Sequence, residues 1–187
     1  PLELGAEDGG TEDAPIIWKA APGQDVVLSG GRRVPASAFG PVSNTAALGR
    51  LPKEAREQVV EADLRALGIE EFGSPEGGGL EVFFGEDRMT LARWPNEGFT
   101  RIAGTLDIRP KNTRGRTGDR VGKWVFEGDR PLRWLGAKDL WVHGYWFWDW
   151  SDERHPVERI DRDERTIEVE EPYHHYGYRA GQWYYAY

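Results

Sequence analysis

The 187-residue chain has no cysteine, one methionine and four histidines. Without cysteine there is no disulfide frame, no thiolate metal site and no thiol nucleophile, and the redox compartment is left open. No apolar run approaches the roughly 18 residues of a membrane span, so the composition is that of a soluble globular protein with no membrane partner. Positive charge is also in deficit: 24 Lys and Arg against 32 Asp and Glu give a net charge of -8. That balance argues against a nucleic-acid partner, because neutralising phosphates takes a clustered basic surface. No phosphate-binding glycine pattern follows a strand, and there is no Gly-x-Ser-x-Gly or His-Glu-x-x-His motif. Nucleotide chemistry, elbow-type acyl transfer and zinc proteolysis therefore have no support. The chain opens on Pro1 without a basic, apolar, small-residue leader, so any leader is expected to have been removed.

Glycine (24), proline (12) and aromatic residues (12%) are plentiful, a composition of many short strands joined by tight turns. Residues 138–152 read K-D-L-W-V-H-G-Y-W-F-W-D-W-S-D and hold four of the nine tryptophans. A period of two predicts a strand, with Val142, Trp146, Trp148 and Trp150 on one face and Trp141, His143, Tyr145, Phe147 and Asp149 on the other. Such a strand is either buried on both faces or presents its second face as a stacking platform for sugar rings.

The first 34 residues carry three short apolar runs, 2–4, 16–18 and 26–28, separated by turn residues. Runs this short suit the rungs of a parallel solenoid. Proline at 52 followed by acids and helix formers predicts one short helix over 51–58. Residues 59–64 fit either its continuation or a strand, and Gly68 with the glycines of 73–79 marks a flexible loop. Hairpins are expected at 80–84 and 89–92 across a four-residue link, and at 157–160 and 166–169 across 161–165, with further strands at 99–102 and 123–126. Between these last two, 109–120 holds five basic residues and one acid and reads as a basic loop.

Two carboxyl groups roughly 5 to 10 Å apart, one kept protonated, are what a glycosidase needs. Asp149, set among aromatics, and Asp152, just past the strand end, are the best-placed acids, although hydrogen bonding to an indole or a turn amide is the simpler role for Asp149. The adjacent pair His174-His175 would point to opposite faces of a strand, so no metal site and no cofactor are expected. Tyr173, His174, Tyr176 and Tyr178 fit a polar aromatic surface able to stack on sugars, or packing between hairpins. Trp150, at the exit of the aromatic run, is the tryptophan best placed to touch a ligand, and Arg114 and Arg116 could grip uronate or sulfate groups.

Several phrases carry a resemblance. Residues 12–31, E-D-A-P-I-I-W-K-A-A-P-G-Q-D-V-V-L-S-G-G, resemble the first coil of secreted bacterial right-handed parallel β-helix proteins of the pectate-lyase-like kind. Residues 89–99, 144–150 and 172–178 resemble a β-rich domain inserted after that coil. The resemblance implies a mainly β chain with an N-terminal β-helix coil over 1–33 and an inserted barrel-like or sandwich-like domain over 34–187. It implies a secreted or periplasmic, carbohydrate-active protein acting on a plant or algal polysaccharide, most readily a glycoside hydrolase whose insert lines the substrate cleft. A polysaccharide lyase and a non-catalytic binding or structural module are the alternatives. It further implies that the catalytic carboxylates lie on later coils, and that the remaining coils, or a second copy of the chain, partner the open rungs.

Overall fold

The computed structural model describes residues 3–77 and 79–187; the first apolar run is thus described from Glu3 onward, and Gly78 of the glycine-rich loop lies outside the described residues. Contacts divide the chain into two units, Pro1–Glu70 and Glu71–Tyr187.

In the first unit no described residue is buried. A two-residue antiparallel pair joins β1 (Gly40–Pro41) to β2 (Val60–Glu61), and the one α-helix among the described residues, α1, spans Thr45–Arg50. Asn44 caps it, its side chain accepting from the Ala47 amide at 3.0 Å. The helix expected over 51–58 is therefore displaced. Pro52 does not start a helix but ends one, because a residue preceding proline is pushed out of the α region, and within 51–58 the chain makes only a single 3-10 turn, Lys53–Ala55.

The expected β-helix coil is also overturned. Ile16 to Trp18 and Val26 to Leu28 form no strand, and Ile17, Trp18, Val27 and Leu28 are 60 to 79% exposed. Every strand pairing among the described residues is antiparallel. A solenoid rung needs a neighbouring coil to pair with, and the strands that could have supplied one are closed on one another in the second unit.

That unit opens with a small hairpin, β3 (Phe83–Phe84) and β4 (Asp87–Arg88). Its link is the pair Gly85-Glu86 rather than four residues, with Gly85 at φ 64°. The body is a closed antiparallel barrel of six strands: β5 (Thr100–Thr105), β8 (Lys123–Phe126), β9 (Trp141–Tyr145), β10 (Asp152–Asp161), β11 (Thr166–Val169) and β12 (Trp183–Ala186). They close in the order β10-β11-β8-β5-β12-β9. Between β5 and β8 stands a separate hairpin, β6 (Pro110–Thr113) with β7 (Arg116–Asp119), where a basic loop was expected. Arg114 and Gly115, at φ 51° and 73°, make the two-residue turn that matches strand twist.

Inward positions fill the barrel. Trp124 is the hub, stacked on Tyr178 at 5.6 Å and within 5.0 and 5.4 Å of Trp146 and Tyr184, ring centre to ring centre. Ile102, Phe126, Val142, Ile167, Val169 and Ala186 complete the packing. On β9 the inward position before Trp146 is Gly144; a Cβ there would meet the Trp183 carbonyl and Tyr184 Cβ at 2.7 Å and the Trp146 indole at 3.0 Å.

The aromatic run is not one strand. β9 stops at Tyr145, and 146–151 form the turn that brings Asp152 opposite Tyr145. Alternation lapses inside that turn, so Trp146 and Phe147 are both buried, Trp148 is half-buried and Trp150 is exposed.

Candidate functional site

One end of the barrel is built from the 146–151 turn, the 172–179 loop and the base of the β6/β7 hairpin. Asp119, fully buried at the end of β7, accepts the amides of Ile108, Arg109 and Val121 at 2.6, 2.9 and 3.1 Å. Its backbone exchanges hydrogen bonds of 2.8 and 2.7 Å with Tyr178. This brace fixes the loop that carries the tyrosines. The Tyr178 hydroxyl accepts the His174 amide at 3.1 Å and donates to His155 Nε2 at 3.2 Å.

His174 is held equally firmly. Its Nδ1 donates to the Gly177 carbonyl at 3.2 Å, so Nε2 carries the lone pair and accepts the Ser151 hydroxyl at 3.1 Å. A Glu153 carboxylate oxygen stands 3.8 Å from Nε2 of both His155 and His174. Burial pushes the His155 imidazole down to about 4 and lowers that of His174, while burial and then the Glu76 charge push Glu153 up. Both imidazoles are therefore neutral near pH 7. Ser151 and Glu153 were passed over in the sequence; their period of two with His155, placing all three toward one side, was the available signal.

Most of the aromatic residues singled out from the sequence meet here. Ring centres of Trp150 and Tyr176 lie 5.3 Å apart edge-to-face, His174 and Tyr176 5.8 Å, and Tyr173 and Tyr178 6.5 Å. Tyr178 and His174 are buried, so a sugar could reach Trp150, the half-buried Tyr173 and Tyr176, and the exposed His175. Lys111 spans this surface, its Nζ 5.8 Å from the Phe147 and Tyr176 ring centres and donating to the His175 carbonyl at 3.4 Å. The Arg114 and Arg116 side chains are exposed, without an ion pair or hydrogen bond among the described residues. Asp149 lies in solvent rather than among aromatics, accepting from Gln182 Nε2 at 3.3 Å and standing 3.9 Å from Arg179. No group of three or more His, Cys, Asp or Glu among the described residues is placed to hold a metal ion.

Asp152 belongs to a different surface, the outer wall of the barrel. Trp183 and Tyr185 of β12 stand opposite Tyr145 and His143 of β9, all partly buried, and Asp152 stands opposite Tyr145 on the other side. His143 joins two of them: Nε2 donates to Asp152 at 2.7 Å, and Nδ1 therefore accepts the Tyr185 hydroxyl at 2.6 Å. The bond to His143 draws the Asp152 carboxyl down, and burial lowers His143. Asp152 is thus an ionised acceptor, the wrong state for a general acid. Phe99 packs on Tyr145, Trp183 and Tyr185 with ring centres about 6 Å away, and the Arg93 guanidinium lies 4.0 Å over the Tyr185 ring. A cleft of about 170 Å³ opens between Phe99, Arg101 and Trp183.

Comparison with known proteins identifies no relative: no family model, no curated protein and no solved structure matches the chain.

Proposed function

We propose that the chain is a carbohydrate-binding β-barrel module of a carbohydrate-active protein, with Trp150 as the ring-stacking surface and Tyr176, His175, Lys111 and Asp149 as its polar surround. The observation that carries this reading is the state of Trp150: the indole is 66% exposed and packs edge-to-face on Tyr176 in a short turn between two barrel strands. An indole placed this way offers a flat apolar face to the C–H side of a sugar, while neighbouring hydroxyl, ammonium and carboxylate groups meet the sugar hydroxyls. One stacking contact contributes about 1 kcal/mol, so affinity for a single ring is weak and oligosaccharides bind through repetition.

The test is Trp150→Ala, followed by thermal melting and calorimetric titration with a panel of plant and algal oligosaccharides. A melting temperature near wild type with roughly 5- to 10-fold weaker binding is expected, and unchanged binding refutes the reading. Hydrolysis by this chain is the second reading. It is favoured by one observation, the raised Glu153 carboxyl beside His174 and Ser151, which is the state a general acid needs. Glu153→Gln abolishing turnover on the same panel while sparing binding would establish it; a wild-type chain that binds without turnover excludes it.

A further inference from the structure

We propose that the outer wall of the barrel carries a second binding site, selective for a sugar ring bearing a carboxylate. The site is the cleft between Phe99, Arg101 and Trp183, and it shares no residue with the Trp150 surface.

Arg101 and Trp183 are cross-strand partners on β5 and β12, both on the outward face, with the guanidinium 5.9 Å from the indole centre. The Arg101 side chain is anchored by one hydrogen bond, Nη1 to the Gly181 carbonyl at 2.8 Å. Its Nε and Nη2 have no hydrogen bond or ion pair among the described residues, and that is the edge of a guanidinium that takes a carboxylate through two parallel bonds. Arg93, on the far side of Phe99, is likewise tied only to carbonyls, of Pro95 and Gly98, and to the Tyr185 and Phe99 rings. Neither arginine meets a carboxylate among the described residues. Both are held still by backbone oxygens, so an incoming anion meets preorganised charge.

The walls explain why the ligand is a ring rather than a bare anion. Trp183 and Phe99 supply two aromatic faces at a tilt, their centres 6.0 Å apart, and the volume is below the roughly 300 Å³ at which pockets enclose a drug-sized ligand. One ring enters and the rest of a chain stays in solvent. Direction comes from the register. Arg101, Trp183, Tyr145 and Asp152 form one outward row across β5, β12, β9 and β10, about 14 Å from end to end at the usual strand spacing. With the carboxylate of the bound ring at Arg101, an oligosaccharide lying along this row brings the hydroxyls of a further ring toward Asp152, whose side chain is partly exposed. The reverse placement would set carboxylate against carboxylate.

The experiment is calorimetric titration with trimers of galacturonate and of mannuronate, each against the matching neutral trimer of galactose or mannose, at 20 and 200 mM salt. The uronate trimers should bind at least 10-fold more tightly than the neutral ones, with the margin shrinking in salt. Arg101→Gln, an exposed substitution that leaves the barrel folded by circular dichroism, should remove that margin and leave neutral binding unchanged. Trp150→Ala should weaken neutral binding while leaving the Arg101-dependent uronate binding in place, so the two sites fail separately. Equal binding of charged and neutral trimers overturns the proposal, as does a margin that survives Arg101→Gln. A margin lost instead in the Arg114→Gln, Arg116→Gln double variant assigns uronate to the β6/β7 hairpin and overturns it too. Inorganic sulfate competing as well as the trimers marks a bare-anion site and refutes the ring.

Discussion

Acidification should unfold this barrel through His155. The imidazole sits on β10 with 3% of its surface exposed, packed against Trp146 at 5.6 Å and accepting the Tyr178 hydroxyl on Nε2. In the unfolded chain it titrates near 6.5; in the folded chain burial, reinforced by His174, holds it to about 4. Between those values the unfolded state binds a proton that the folded state refuses, so stability is complete above pH 6.5 and falls as pH drops toward 4. At 1.36 kcal/mol per pH unit the loss is about 3 kcal/mol, a large share of the 5 to 15 kcal/mol by which domains are stable. His174 and His143 are shifted the same way by burial and add to it. Glu153, shifted up, opposes it, because its protonation on acidification removes a buried charge. Urea melts at pH 7.5, 6.5, 5.5 and 4.5 measure the slope. His155→Gln keeps a polar group without the titration and should flatten the profile by about 3 kcal/mol between pH 6.5 and 4. Parallel wild-type and variant profiles would refute the reasoning.

Two further perturbations probe the fold. Gly144→Ala should cost about 1 to 3 kcal/mol in chemical denaturation, because the new methyl meets the Trp183 backbone and the Trp146 indole in a filled core; a neutral outcome would mean the barrel wall yields there. The exposed runs at 16–18 and 26–28 should drive concentration-dependent self-association in light scattering, relieved by Ile17→Lys with Val27→Lys; a clean monomer at high concentration counts against it.

How much the sequence disclosed depends on how local each signal is. The β10/β11 hairpin was legible because Ile167 and Val169 face the core while Glu168 faces out, and the turn between is polar. Tyr176 and Trp150 were legible as a pair only in kind; their contact joins two loops that no periodicity relates. The β6/β7 hairpin was hidden because its turn places an arginine, Arg114, at positive φ where Asn or Asp would have announced it. The end of β9 was hidden by aromatics that continue straight through the turn. The aromatic alternation at 141–145 did carry the outer wall, but its partners, Trp183 and Tyr185, come some forty residues later, and the bond from Tyr185 through His143 to Asp152 exists only once the two strands pair. The solenoid expectation failed because short apolar runs specify burial without specifying against what.

The strand order has a consequence for synthesis. β12 is the last strand of the barrel to be made and is hydrogen-bonded to β5 on one side and β9 on the other, joining residues as far apart as Thr100 and Tyr184. Until it leaves the ribosome, β5 and β9 are bare edges and the Trp124 cluster lacks Tyr184. The nascent barrel therefore waits as an open five-stranded sheet rich in tryptophan until Ala186 has emerged, the kind of surface that nascent-chain chaperones hold. Closure depends on β12, and a stop before it yields an aggregating sheet in place of a smaller barrel.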